Sequence, residues 1–356
     1  MSLLSKIPRP LLGDVVVRRE PCRICGTGDG KRIGVVDYWD IRTSSVIQCG
    51  HCGLAQLDPM LTHEETAKGC LAYYIEESLR VTQHEHERNL VRNYRRGIHF
   101  AHTLKRRGAN PKDVLEIGPG SGYFLEGIKA VFPEITITVM DVNKEILDFN
   151  AQQHGYRTIQ ATLEEHNASL DARFDLIIAR DILEHVVDVA AVIKNLSAYC
   201  RKGGLFHFIT PNGHEDVWKH YLTFTDLHEN SELLINHVNY FDGKGLCDFL
   251  GTQGFTPVEY YTYRFKTSLK GKGWKRAAKL RAAVSKKLEA DPFVNDRIHD
   301  VQEMSFNKKK VLSAWYLRNP DGTLARLVCA FHHGYLLTLD PFHNVGHEIH
   351  GIFQRN

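Results

Sequence analysis

From residue 113 onward, short apolar runs alternate with stretches whose apolar positions recur every three or four residues. The runs are "DVLEI" (113–117), "ITITVMD" (135–141), "RTIQA" (157–161), "FDLIIAR" (174–180) and "GLFHFIT" (204–210). Aliphatic and β-branched runs of this length predict strands, and the helix-period segments between them predict crossovers, so the pattern predicts a parallel, doubly wound α/β sheet. Ligands in such sheets bind beyond the carboxyl ends of the strands. The chemically distinctive residues fall at those ends: a glycine turn after the first run, Asp141 and Val142 after the second, Thr162 and Leu163 after the third, and Arg180 to His185 after the fourth.

Outside this region the patterning changes. "MLTHEETAKGCLAYYIEESLRVTQHEHERNLVRNYRRGIHFAHTLKRRGANP" keeps helical spacing until Gly108 and Pro111 break it, and predicts a connector or lid over 61–112, with Tyr73 and Tyr74 near the ligand. His84, His86, His99 and His102 in it read as a solvated helix face. Downstream, "SAWYLRNPDGTLARLVCAFHH" sets an N-P-D-G turn between two β-rich runs and predicts a hairpin, one strand of which completes the sheet. The histidine-rich end, with Asp340 and Glu348, offers metal-ligand types, but scattered surface or core histidines are the better account of it.

The glycine turn "VLEIGPGSGYFLEGI" (114–128) reads as strand, tight turn, helix. A dinucleotide fold carries G-x-G-x-x-G, with a pyrophosphate on the helix amino terminus. Gly118, Gly120 and Gly122 instead follow G-x-G-x-G, and Glu116 stands two residues ahead, where an acid suits a cationic ligand better than an anionic one. Asp141, closing the second strand, can accept two hydrogen bonds from ribose hydroxyls.

The chain has 356 residues, 43% of them hydrophobic, enough for two domains or one large domain with additions. It holds no run of 18 apolar residues, and its start lacks a signal-type apolar core, which places the protein in the cytoplasm. The formal net charge of +3 does not by itself call for nucleic acid. Its distribution is uneven, however: "RFKTSLKGKGWKRAAKLRAAVSKK" (264–287) has ten basic residues and no acid. That stretch is either a solvated basic helix or a surface for an anionic acceptor, RNA or a membrane face. Of the stacking aromatics that RNA would favour, only Phe265 and Trp274 are interleaved there.

Four of the eight cysteines form two C-x-x-C pairs, Cys22 and Cys25 in "PCRICG" and Cys49 and Cys52 in "QCGHCG". Two such knuckles present four thiolates to one ion, the arrangement of a closed, structural Zn²⁺ site. His51 reads as a bystander, and Cys70, Cys200, Cys247 and Cys329 as buried small hydrophobes.

"VLEIGPGSGYF", "VMDVN", "FDLIIARDILEHV", "RKGGLFHFITPN" and "NHVNYFDGKGLCDFLGTQGF", in that order, resemble the successive motifs of class I S-adenosylmethionine-dependent methyltransferases over about residues 113–265. The cysteine module followed by "CGLAQLDP" further resembles bacterial methyltransferases acting on sugars and related metabolites. The resemblance implies a seven-stranded sheet with its last strand antiparallel, preceded by a zinc ribbon (14–60) and the helical connector (61–112), and followed by a C-terminal α+β extension (266–356). It implies S-adenosylmethionine as cofactor, with Glu116, Gly118, Gly120 and Gly122 around the methionine part, Asp141 and Val142 at the ribose, Thr162 and Leu163 at the adenine edge, and Arg180 nearby. Pro119 stands where cysteine is common, and "QATLEEH" lacks the aspartate often found near the adenine.

Methyl transfer is an in-line displacement dominated by positioning, but a hydroxyl acceptor also needs a base. Asp181, His185 and His237 are the candidates; the histidine of "LEHV" also fits a purely pocket-shaping role. The expectation is a methyltransferase acting on a hydroxyl of a small-molecule or glycan acceptor, a sugar-containing and anionic one. An RNA methyltransferase clamping nucleic acid with ribbon and basic helix, and a non-catalytic binding protein, are the alternatives.

Overall fold

The computed structural model describes residues 15–17, 20–38, 42–70, 83–213, 216, 237–263, 308–319, 322–325, 327–328, 339–340 and 348–356. Tyr73, Tyr74, Cys329 and the basic stretch 264–287 lie outside the described residues. No helix among the described residues is long and apolar enough to cross a membrane.

Two sheets organise the chain. The first joins β1 (Val15–Val17), β2 (Asp29–Tyr38), β3 (Arg42–Cys49), β4 (Ala55–Asp58) and the distant β10 (Asn239–Tyr240), in that spatial order. The second holds β5 (Asp113–Ile117), β6 (Thr136–Asp141), β7 (Arg157–Gln160), β8 (Phe174–Arg180), β9 (Cys200–Pro211), β11 (Phe255–Tyr263), β12 (Leu339–Asp340) and β13 (Glu348–Arg355). Its order is β12-β11-β13-β9-β8-β5-β6-β7. The pairs β7–β6, β6–β5, β5–β8 and β8–β9 are parallel, whereas β13 runs antiparallel to both β9 and β11. This is the predicted doubly wound sheet with its last long strand reversed; the short β12 adds an eighth strand at the edge.

Alternation along the strands divides the core. Val114, Val139, Leu176 and Ile178 face the cluster built on Phe100, Leu104, Phe124 and Ile128, while Leu115, Met140, Ile177 and Ala179 face Val192, Ile193 and Leu196. Successive side chains of a strand point to opposite faces, so a strand buried on both reads as one apolar run. The helices are α1 (residues 63–70), α2 (Gln83–Arg106), α3 (Tyr123–Lys129), α4 (Lys144–His154), α5 (Val189–Tyr199) and α6 (Gly243–Thr252), with short α7 (Lys308–Leu312) and α8 (Trp315–Arg318).

The hairpin expected around N-P-D-G is not what forms. The Gly322 N–H donates to the Asn319 carbonyl at 3.2 Å. The flanking residues are helical at 315–318, 323–325 and 327–328. Tyr316, Leu317 and Ala325 are buried against Leu90, Tyr94 and Tyr123, so packing on α2 overrides the β-propensity of the segment. The reversed strand comes instead from the last residues of the chain, Glu348–Arg355.

Helix α2 crosses α3 backbone to backbone. A Cβ on Gly127 would stand 2.2 Å from the Tyr94 carbonyl oxygen and 2.8 Å from the Ile98 nitrogen. Both obstacles are main chain and cannot swing aside. Gly127→Ala is therefore expected to overpack this crossing at a cost of about 1 to 3 kcal/mol and to lower the thermal unfolding midpoint by several degrees; an unchanged midpoint in a melting scan would mean that α2 is not held on α3 this way.

Candidate active site

The glycine turn is fixed by its surroundings as much as by its glycines. Gly118, Gly120 and Gly122 have φ of 60°, 52° and 72°, left-handed values open to residues without a Cβ. The Gly118 N–H donates to the Met140 carbonyl at 2.9 Å, the Asn150 amide donates to the Gly120 carbonyl at 2.8 Å, and His154 Nε2 contacts the Ser121 carbonyl at 2.9 Å. Asn150 and His154 lie on α4, one turn apart, and the sequence reading missed both. A Cβ on Gly118 would meet the Ile182 side chain at 2.3 Å, whereas Gly120 faces open space. The turn thus abuts the loop after β8 on one side and opens to a ligand on another.

Glu116 is fully buried, and its Oε1 accepts from Arg180 Nε at 3.0 Å. The Arg180 guanidinium carbon lies 3.7 Å from the centroid of the Phe124 ring. The charge of Glu116 is therefore offset inside the protein, and Arg180 directs its own charge to Glu116 and Phe124. Burial raises the Glu116 carboxyl to about 7, against the pull of Arg180. Its Oε2 has no hydrogen-bond partner among the described residues, and neither does the buried Thr162 Oγ1.

Asp141 ends β6, and its Oδ1 accepts from the Asn143 N–H at 2.8 Å. Burial raises this carboxyl to about 6, opposed by backbone N–H groups of its own turn. Val142 beside it is 61% exposed, unusual for its type, while Leu163 belongs to the core and its carbonyl accepts from Asn195. Gly120, Val142 and Asp181, at three adjacent strand ends, are all exposed, and mark the open side of the site.

The loop after β8 carries a second group. Asp181 has φ of 55°, rare for a residue with a side chain, and its N–H donates to the Ile209 carbonyl at 2.8 Å. It is solvent-accessible but ringed by protein; that surrounding and the nearby Glu348 raise its carboxyl, with Arg180, Arg96 and His237 acting the other way. Glu184 is buried, accepts from Thr210 Oγ1 at 2.9 Å, and is pushed up to about 8 by burial and by Asp181. His185 Nε2 lies 3.9 Å from Glu184 Oε1, and its ring meets His237 edge to face at 5.0 Å.

His237 Nδ1 is 2.6 Å from Asp216 Oδ2. Burial alone would depress this imidazole, but Asp216, Glu184 and Asp181 together hold it near 9. A carboxylate at this distance fixes the Nδ1–H tautomer and the ring orientation. No local signal pairs His237 with Asp216, 21 residues apart and outside any periodic segment. Asn212, at the end of β9, is likewise absent from the sequence reading: it is fully buried, and both its amide atoms are unpartnered among the described residues.

Glu184, His185 and His237 bring one ligand-type atom each within 4.8 Å of one another. The same holds for Cys22, Cys25, Cys49 and Cys52. There Cys22 Sγ stands 3.5 Å from Cys52 Sγ, and Cys25 Sγ 3.4 Å from Cys49 Sγ. The knuckles match: the Gly26 N–H donates to the Cys22 carbonyl at 2.8 Å and the Gly53 N–H to the Cys49 carbonyl at 3.1 Å. Cys200 is buried as expected, whereas Cys70 and Cys247 are only half-buried.

Residues 84–260 match the family model described as a methyltransferase domain. Through that segment the chain belongs to the methyltransferase family. The match begins inside α2, upstream of β5, the first strand of the second sheet. Among curated relatives, the "Ubiquinone biosynthesis O-methyltransferase" of Proteus mirabilis is 32% identical over 113 residues, covering 30% of this chain and 45% of that protein. Its namesake from Vibrio parahaemolyticus is 33% identical over 114 residues, covering 30% and 47%. The chain thus spans about half the length of these relatives. Among solved structures, the N-methyltransferase NodS of Bradyrhizobium japonicum with S-adenosyl-l-homocysteine is 18% identical, with a TM-score of 0.36 over 53% of this chain and 84% of that one. An S-adenosylmethionine-dependent methyltransferase of Clostridium acetobutylicum is 13% identical, with a TM-score of 0.37 over 47% and 82%.

The pairing of His237 with Asp216 has a direct readout. In histidine-selective ¹³C NMR, His237 should titrate near pH 9, and Asp216→Asn should bring it down by at least about one unit, since the neutral amide no longer favours the imidazolium. Because the folded-state value is raised above the ordinary imidazole value, the stability this pair contributes is complete below about pH 6.5 and is lost as the pH climbs through 9. A titration near the ordinary imidazole value in the unmodified protein would remove Asp216 from this role.

Proposed function

We propose that the protein transfers a methyl group from S-adenosylmethionine to a hydroxyl of a sugar or sugar-containing small molecule. The observation that carries this reading is that an Asp–His pair, His237 with Asp216, is held beside the loop after β8, which abuts the glycine turn through Ile182 and Gly118. The residues fit the cofactor. The glycine turn opens at Gly120, Glu116 Oε2 and Thr162 Oγ1 are buried acceptors and donors with no partner among the described residues, and Asp141 closes β6 within reach of a diol. Unpaired buried polar atoms are costly unless a ligand answers them. Val142, exposed beside Asp141, gives an apolar surface for a nucleoside.

When bound, the sulfonium supplies an activated methyl group. In the transfer the acceptor oxygen would gain the methyl group as the C–S bond breaks and would give its proton to Nε2 of neutral His237, whose Nδ1–H faces Asp216; because the ring is held near 9, that neutral form is the minor one at neutral pH and grows as the pH rises. Glu184 and Asp181 stabilise the imidazolium formed. Asn212, with an amide donor and acceptor both unanswered, holds an acceptor hydroxyl. His185 shapes the pocket against His237.

The sugar acceptor rests on the likeness of the cysteine module to sugar-modifying methyltransferases. A second reading, a hydroxyl of an intermediate of ubiquinone biosynthesis, takes its support from the relatives named for that O-methylation. Oxygen is the acceptor atom in both. RNA has no support from the described residues.

The test is a methyl-transfer screen with labelled cofactor over nucleotide sugars, glycans and catechols, with the product position read by mass spectrometry. Calorimetry on the same protein should show S-adenosylmethionine binding, and Asp141→Ala should weaken it by roughly 2 to 4 kcal/mol as two charge-assisted hydrogen bonds are lost. Unchanged affinity in the variant removes Asp141 from the ribose, and no binding by the unmodified protein removes the whole reading.

For the four cysteines we propose structural Zn²⁺. Tetrahedral coordination at about 2.3 Å places sulfurs about 3.8 Å apart, close to the 3.4 and 3.5 Å of the facing pairs. Four thiolates leave no position for substrate. Elemental analysis should find about one zinc per chain, and Cys49→Ser should lose it and loosen the module, because binding there is coupled to folding; metal-free, fully folded protein would overturn the assignment.

A further inference from the structure

The cysteine module and the methyltransferase region meet along residues 237–245, with Leu246 and Phe249 just beyond packed in the same cluster as Cys22, Cys49 and Leu54. On the module side, β10 pairs antiparallel with β4, Asn239 opposite Gln56 and Tyr240 opposite Ala55, and the Leu57 N–H donates to the Val238 carbonyl at 3.2 Å. On the other side, the N–H groups of Val238 and Asn239 both donate to the Glu184 carbonyl, at 2.8 and 3.1 Å. The Asn239 amide adds bonds to the carbonyls of Leu183 and Val186. His237 enters this clamp one residue ahead of it, and α6 leaves from its far end.

The start of α6 is set by close contact with the second knuckle. A Cβ on Gly245 would lie 1.9 Å from the Cys52 carbonyl oxygen. A Cβ on Gly53, the residue after that knuckle, marks the reverse side of the contact, and would lie 2.9 Å from the Asp242 Cβ. Asp242 caps α6, its Oδ1 accepting from the Gly245 N–H at 2.8 Å. The obstacle to Gly245 is main chain inside a closed turn, so a larger residue must move either the knuckle or the helix start. Moving the helix start displaces Asp242, Phe241 and β10, and with them His237.

We propose that the cysteine module positions the His237–Asp216 pair, with Gly245 as the positioning residue that sets how closely the module docks. The β4 edge of the module and its knuckle fix where the segment bearing His237 lies relative to the Glu184 turn. This rests on the reading of His237 as the base, but its geometry is testable separately.

The experiment uses the full chain carrying Gly245→Ala, with Gly251→Ala as control. Gly251 lies in the same helix, and a Cβ there meets nothing within 4 Å. In Gly245→Ala, S-adenosylmethionine binding should stay within about threefold of the unmodified protein, whereas the His237 ¹³C titration should fall by at least about one pH unit as the imidazole leaves its carboxylate. In a methyl-transfer assay, kcat should drop about tenfold or more with KM for S-adenosylmethionine held, the pattern of a group misplaced for the chemical step. Gly251→Ala should match the unmodified protein in every readout. An unshifted His237 titration in folded Gly245→Ala overturns the proposal whatever the activity. Should Gly245→Ala not fold, Asp242→Ala, which removes the cap of α6 and the side chain against Gly53, must shift the titration in the same direction, and an unshifted value there overturns it equally. If His237→Gln keeps full activity while Gly245→Ala still shifts the titration, the base reading fails and the positioning stands.

Discussion

Carboxylates gathered in a desolvated site are the constraint around which this molecule is arranged. Glu116, Glu184 and Asp141 all sit at the carboxyl ends of the sheet, and burial raises each above the ordinary carboxylate range. An unpaired buried charge is costly, so each needs a partner or a proton. Glu116 has Arg180, Glu184 has Thr210, and Asp216 has His237. These partners come from β8, β9 and the segment ahead of β10, so the electrostatics of the site binds together elements distant in sequence.

The reversed β13 contributes to the same end of the sheet. Because it runs antiparallel to β9, its first residues lie beside the last residues of that strand: Glu348 pairs with Pro211 and Ile349 with Thr210. Glu348 thereby acts on Asp181, and His350, 3.1 Å from Glu348, stacks on Tyr261 at 5.4 Å. Residues that read as a histidine-rich tail are thus part of the electrostatic surroundings of the cleft. The small domain at the other end of the chain is equally committed, since its sheet takes its fifth strand, β10, from the methyltransferase region.

The strand segments, the glycine turn and the cysteine pairs were legible because each is a local pattern with a short-range cause. "FDLIIAR" forms Phe174–Arg180, and "DVLEI" forms Asp113–Ile117, with the same bounds, because apolar runs flanked by turn residues leave little choice of register. The two C-x-x-C knuckles converge because each spacing already shapes its own turn. The hairpin around Asn319 was misread for the opposite reason: β-propensity there is weak, and the apolar faces of Tyr316, Leu317 and Ala325 find their partners on α2, more than 200 residues earlier in sequence.

The sequence by itself therefore determined the doubly wound sheet, the family, and the residues that line its strand ends. Only the tertiary structure decided what those residues face. Glu116, expected beside a cationic ligand, also accepts from Arg180 through Oε1 while its Oε2 has no partner among the described residues; Asp216 and Asn212 carried no signal until folding placed them beside His237 and at the end of β9. Periodicity reports burial, a property each residue carries along the chain. The pairing of charges depends on which loops meet, and that is set by sheet order and long-range packing rather than by neighbours in sequence.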